Sequence, residues 1–353
     1  MRLPGTPIGA CARLILILSV LFAALFMAAP RCPAQEEVPA APLPVFEFHS
    51  GFWLNLHHTL YRQARLQRSS AAGANAVSTT AGVANLTSAE QRLWNSALAF
   101  YAKSYADKDL TVALELILIK NQLGDFETCE DLAGLKRKTC DAGLPEALTK
   151  TLNSVAPVYR TRLWPEHDRA NRRWIAAVAP LVRRNGLELS HRLAEIYQTP
   201  WPRERIRVDV TNWASSTGAY TTLDPLRVTV SAADARNQSA EALEVLFHEA
   251  SHGIADVVQE AIFRECRQRD KPIPRDLWHA LLFYTTGELI RPLASDSAGS
   301  SSPSTGYVPY AVREGLYKRG WEGYLRVLTQ YWQPYLDGRV DFSDAVAHMV
   351  SAL

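Results

Sequence analysis

The 353-residue chain reads as an α+β protein in which helices predominate and one small β-sheet stands directly before a motif-bearing helix. Three observations predict this. Several long stretches repeat apolar residues at the spacing of a helix face. One stretch alone, between Arg205 and Val230, alternates polar and apolar residues as half-buried strands do. An apolar run that begins near Ser239 then carries His248-Glu249-Ala250-Ser251-His252 in its middle. No internal repeat is visible.

Taken in order, the chain starts with Arg2 and Arg13, an apolar run from Leu14 to Ala29, and Pro30-Arg31-Cys32-Pro33-Ala34. This pattern predicts a secretory signal over residues 1–34, cut after Ala34, and no stable membrane insertion once it is gone. Cys32 follows Ala29-Pro30-Arg31, which is not a lipobox. Removing the leader takes three arginines and no acid, and moves the formal charge from +2 to −1. A nucleic-acid partner is therefore not expected.

The region 35–200 is expected to be a helical body packed on the catalytic region 201–353. Helical spacing covers residues 52–67, 89–106, 110–123, 144–154 and 164–197, and again 321–336. The aromatic stretch from Phe46 to His58 reads as a helix docking on the core, because adjacent histidines such as His57 and His58 project about 100° apart and do not converge. Two polar, small-residue stretches, 69–88 and 295–306, read as loops. Cys129 and Cys140 flank a short charged segment, which predicts a local disulfide in an oxidising compartment, secreted or periplasmic. Cys266 is left over, and no CxxC or CxH spacing suggests a cysteine metal site.

The strands are expected at 205–210, 219–222 and 226–230, and the motif helix follows at once. On a helix, residues four apart project about 40° from one another, so His248 and His252 share a face and can hold one metal ion. Glu249 lies beside that face, placed to take a proton from a water. If the helix runs on through Ile254, Ala255, Val257 and Val258, Asp256 falls on the same face as His252, where a carboxylate can fix a liganding imidazole.

Two histidines do not complete a catalytic zinc site, which takes three protein ligands. Glu288 is the favoured third ligand. It shares a helix face with Tyr284, Arg291 stands three residues on to hold its carboxylate, and Asp276 is a candidate cap for their helix. His279 is the rival, and on one continuous helix the two lie about 180° apart, so both cannot serve.

A small sheet followed immediately by a His-Glu-x-x-His helix resembles the zincin metallopeptidases, and a glutamate ligand on a later helix resembles their gluzincin, thermolysin-like branch. The likeness spans about residues 205–291. It lacks the Asn-Glu-x-x-Ser-Asp signature, and its gap from His252 to Glu288 is longer. The metzincin pattern is excluded by Gly253-Ile254-Ala255-Asp256-Val257-Val258 after the motif. The resemblance implies Zn²⁺ as cofactor, Glu249 as general base, and peptide-bond hydrolysis of a peptide or protein substrate. It also implies that Gly218, Ala219 and Tyr220 form an edge strand pairing with the substrate backbone. Tyr307 and Tyr310, just after the second loop, are candidates for the oxyanion donor. A zinc hydrolase of non-peptide amides or esters, and a degenerate zincin that only binds, are the alternatives.

Overall fold

The structure, a computed structural model, describes residues 45–71, 85–132, 140, 143–297 and 306–353. The predicted leader and parts of both predicted loops lie outside the described residues. All described residues belong to the unit Leu43–Leu353. The architecture is α+β, mostly helical, around a four-stranded sheet.

The strands are β1 (Phe46–His49), β2 (Ile206–Thr211), β3 (Ala219–Leu223) and β4 (Leu226–Ser231), in the order β1-β2-β4-β3. β1, β2 and β4 run parallel, while β3 folds back antiparallel to β4 and forms one edge. The three later strands match expectation closely. β1 does not: Phe46 to His49 was expected to be helical and is instead a strand, paired Phe46↔Ile206 with a segment about 160 residues away. Alternation over four residues is too short to announce a strand, and its partner is not local in sequence.

Five helices follow β1: α1 (Phe52–Ala71), α2 (Ser88–Ser104), α3 (Leu114–Asp125), α4 (Glu146–Arg162) and α5 (Trp164–Ile196). Thr87 and Glu90 close a reciprocal capping box at the start of α2, and Arg162 at the end of α4 grips the same Glu90 with two bonds of 2.9 Å. Beyond the sheet come α6 (Ser239–Ser251), α7 (Asp256–Gln268), α8 (Leu277–Ser297) and α9 (Tyr310–Arg313), then short helical pieces and a last helix, Phe342–Ser351. The predicted helix 321–336 is broken, with a π-turn at Leu328–Trp332.

Strand alternation divides the core. Phe46, Ile206, Val208, Val210, Val228 and Val230 face a cluster that includes α5, α6 and α8. The other face meets α1 and α3. There Lys120, fully buried, lies 3.5 Å from the equally buried Asp209 and donates to Thr222, while His58 bonds the Tyr220 hydroxyl at 3.0 Å. Burial pulls the Lys120 ammonium down to about 8 despite Asp209. The histidines of α1 are core groups here: His57 meets Tyr101 at 2.8 Å, and burial holds both imidazoles neutral. Because α5 shares a core with α6 and β1 completes the sheet, a boundary near residue 200 does not separate two cores. Cys129 and Cys140 are joined by a disulfide, and Cys266 is buried and free. No helix among the described residues is long and apolar enough to cross a membrane.

Candidate metal centre

α6 is buried on nearly every side, and its apolar residues Leu243, Leu246, Phe247 and Ala250 fix it between the sheet and α8. That packing leaves its polar groups with few options. His248 is buried, and its ring lies flat on Phe283 of α8 with centroids 3.6 Å apart. His252 caps the helix with helical backbone angles, so it still falls one turn beyond His248, with ring centroids 5.1 Å apart.

The third member comes from α8. His279, near its start, places Nε2 3.3 Å from Nε2 of His248, and its ring centroid is 5.0 Å from that of His252. The candidate ligand atoms of His248, His252 and His279 all lie within 4.8 Å of one another. Two nitrogens bound to one zinc at 2.0–2.1 Å in a tetrahedron stand roughly 3.3 Å apart, which is the spacing found between the His248 and His279 nitrogens. Burial is the main cause of lowered basicity in all three imidazoles, taking His252 to about 3 and His279 to about 4 and His248 well below its usual value. Neutral rings keep the lone pairs a metal needs. The donor set fits a zinc ion, and one nitrogen, Nδ1 of His248, has no hydrogen-bond partner.

Glu249 points the other way, toward the sheet edge. Its carboxylate accepts from Thr221 Oγ1 of β3 at 2.7 Å, and the same hydroxyl reaches the Glu249 carbonyl at 2.8 Å. Burial raises the carboxyl to about 7, and the Thr221 bond holds it back from rising further. A half-buried carboxyl poised near neutrality, one residue on from His248 of the candidate trio, has the basicity a general base needs.

Several expected residues stand elsewhere. Glu288 is not in the cluster. It forms a two-pronged ion pair with Arg291, at 2.6 and 3.1 Å, on the side of α8 that Tyr284 shares, and Tyr284 bonds Gln333. Tyr284 and Glu288 do share a face, but that face looks away from α6 into a cavity of about 400 Å³. Arg291 therefore holds Glu288 as expected, without either touching the histidines. Asp276 precedes α8 with a left-handed backbone, and its carboxylate meets Arg275. Asp256 is exposed at the start of α7. α6 ends at Ser251 and a 3-10 turn at His252–Ile254 redirects the chain, so four-residue spacing no longer measures a shared face. Gly253 permits that turn to sit against β4, since a β-carbon there would come within 2.6 Å of Leu226.

Tyr307 and Tyr310 flank a residue the sequence did not single out. Glu244, one turn before His248 on α6 and fully buried, accepts from the Tyr307 hydroxyl and from the Tyr310 backbone N–H at 2.9 Å. With no cation bonded to it, burial raises its carboxyl to about 7. The Tyr310 ring stacks on Phe283, with centroids 5.5 Å apart, and Phe283 in turn stacks on His248. The Tyr310 hydroxyl donates to the Thr217 carbonyl and receives from Arg236, and burial raises its pKa above the ordinary tyrosine value. Tyr310 thus borders the site, while Tyr307 serves as an anchor. An acid in the midst of an apolar helix was the available sign of Glu244, and Thr221 lay within the expected edge strand; nothing in the sequence marked Phe283.

At the sheet edge, the Gly218 carbonyl accepts from Ser231 of β4, and the Ala219 carbonyl, directed outward, accepts from the hydroxyls of Ser215 and Thr217. The Tyr220 side chain is buried against α1. By strand alternation, Thr221 is the next residue to present its backbone outward. Compared with known proteins, the chain matches no family model, no curated protein and no solved structure.

Proposed function

We propose that the protein is a zinc-dependent metallopeptidase of the His-Glu-x-x-His type, with His248, His252 and His279 as ligands and Glu249 as general base. The observation that carries this reading is the trio of neutral imidazoles at ligand spacing, with a carboxyl near neutrality on the next residue of the same helix. A zinc ion held there would supply Lewis-acid polarisation of a water and of the substrate carbonyl. Glu249 would take a proton from the attacking water and return it to the leaving amine as the C–N bond breaks. Thr221 orients that carboxylate, and Tyr310 borders the site through the stack of its ring on Phe283, with its hydroxyl donating to the Thr217 carbonyl. The leader and the disulfide favour a secreted or periplasmic enzyme.

A second reading, a zinc hydrolase of non-peptide amides or esters, is favoured by one observation: the Ala219 carbonyl on the edge is already occupied, which shortens the strip available for pairing with a peptide. Incubation of wild type and Glu249→Gln with a mixed peptide library, with new termini read by mass spectrometry, separates the two. Glu249-dependent cleavage supports the peptidase. Glu249-dependent turnover of small esters or amides alone supports the second reading.

A further inference from the structure

The strip of edge that faces Glu249 is closed at one end. Thr221 touches Glu249, and four residues earlier the Thr217 carbonyl accepts from the Tyr310 hydroxyl, while the hydroxyls of Ser215 and Thr217 occupy the Ala219 carbonyl. Thr217 and Gly218 form a turn and the extended edge begins only at Ala219, so at about 3.3 Å per strand residue roughly 7 Å of edge separates the occupied Ala219 from Thr221. Tyr310 cannot swing freely. Glu244 holds its backbone N–H, Phe283 supports its ring, and Arg236 donates to its hydroxyl at 3.3 Å.

Positive charge lies past the closed end. A polar cavity of about 380 Å³ opens there, lined by Arg62, Asn212, Trp213, Ser215, Ser216 and Arg236 among others. Arg236 is taken up by Asp234 and by the Ser216 carbonyl. Arg62 is not: its guanidinium sits over the Trp213 ring at 5.5 Å, and it has no acidic partner among the described residues. A chain running antiparallel to β3 brings its carboxyl end to Ser215 and Arg62, whereas a parallel chain would bring an ammonium group to an unpaired arginine.

Resting on the peptidase reading, we infer that the protein acts at the carboxyl end of its peptides, recognising the free terminal carboxylate at the Arg62 end of the edge and releasing short carboxyl-terminal fragments. The test uses zinc-loaded protein and one mixed-sequence peptide pool in three forms: free carboxylate, C-terminal amide, and head-to-tail cyclised. Cuts within a few residues of the carboxyl end, at least tenfold faster for the free acid than for the amide, are expected. Arg62→Gln should bring the acid-to-amide rate ratio down to about one while zinc content stays unchanged. As a second readout, N-terminally fluorescein-labelled tripeptides should bind Glu249→Gln protein at least tenfold more tightly as acids than as amides, by anisotropy. Equal cutting of amide and cyclic pools, or cuts clustered at the amino end, overturns the terminal assignment and leaves the peptidase reading standing. If no pool is cut by zinc-loaded protein, the peptidase reading and this inference fall together.

Discussion

Glu249 is the residue on which the proposed chemistry turns. It touches the strand through Thr221 and adjoins a proposed ligand without being one itself, so its replacement separates binding of metal from turnover. Glu249→Gln should keep zinc content and circular dichroism unchanged and lower hydrolysis by at least 10²–10⁴-fold, the usual cost of losing a general base. A comparable rate in the variant would remove Glu249 from that role. Glu244 supports a prediction in pH. Its carboxyl lies at about 7 in the folded chain against an ordinary 4.5, so the folded state keeps a proton that the unfolded state releases. Stability from this group is therefore full below pH 4.5 and falls as pH rises toward 7, by on the order of 3 kcal/mol. The site histidines act oppositely, losing stability as pH drops below 6.5, so the difference between proteins isolates Glu244. Urea titrations of metal-free wild type and Glu244→Gln at pH 5 and 7.5 should show a steeper decline with pH in the wild type.

At the scale of elements, the site depends on how closely α8 and the segment before α9 approach α6. Gly287 permits this, since a β-carbon there would lie 2.5 Å from Pro309 and 3.1 Å from the Glu244 carboxylate. Gly287→Ala should destabilise the fold by about 1–3 kcal/mol through overpacking and, by displacing Pro309, loosen Tyr310. Denaturant midpoints measure the first effect, and an unchanged midpoint would mean that the segment yields without strain. The helices and three of the strands were legible because their periodicity is local: Val208, Val210, Val228 and Val230 alternate within one short stretch. β1 was not, since Phe46 and Phe48 become strand residues only by pairing with Ile206 and Val208. The motif pair and Glu249 could be read from spacing alone. The third member of the cluster could not, because α8 offers His279 on one side and Glu288 on the other, and only the packing of α8 on α6 brings His279 to the pair. Asp256 failed for a related reason: nothing in the sequence announced that the helix ends at Ser251.

Across the whole molecule, the sheet is a divider with unequal faces. One is apolar and carries the candidate centre; the other holds Lys120, Asp209, His57 and His58 in a buried polar layer that joins the helices α1 and α3 to the strands. Removing one partner there strands a buried charge, so Asp209→Ala should cost about 3–5 kcal/mol, read as a fall in the urea midpoint, without altering zinc content. A metal that joins α6 to α8 should also stabilise the fold as a whole. Excess zinc at a hundred times its dissociation constant is worth about 2.7 kcal/mol, so the melting temperature should rise with zinc and fall with chelator. A melting temperature indifferent to both would place any zinc off the native fold.

The claim beneath all of this is that His248, His252 and His279 together hold one metal ion. Zinc stoichiometry, measured by elemental analysis on purified wild type, His279→Ala and Glu288→Ala after identical loading and dialysis, tests it most directly. About one zinc per chain is expected in the wild type and in Glu288→Ala, and a small fraction of that in His279→Ala. A fully loaded His279→Ala beside a zinc-free Glu288→Ala would contradict it.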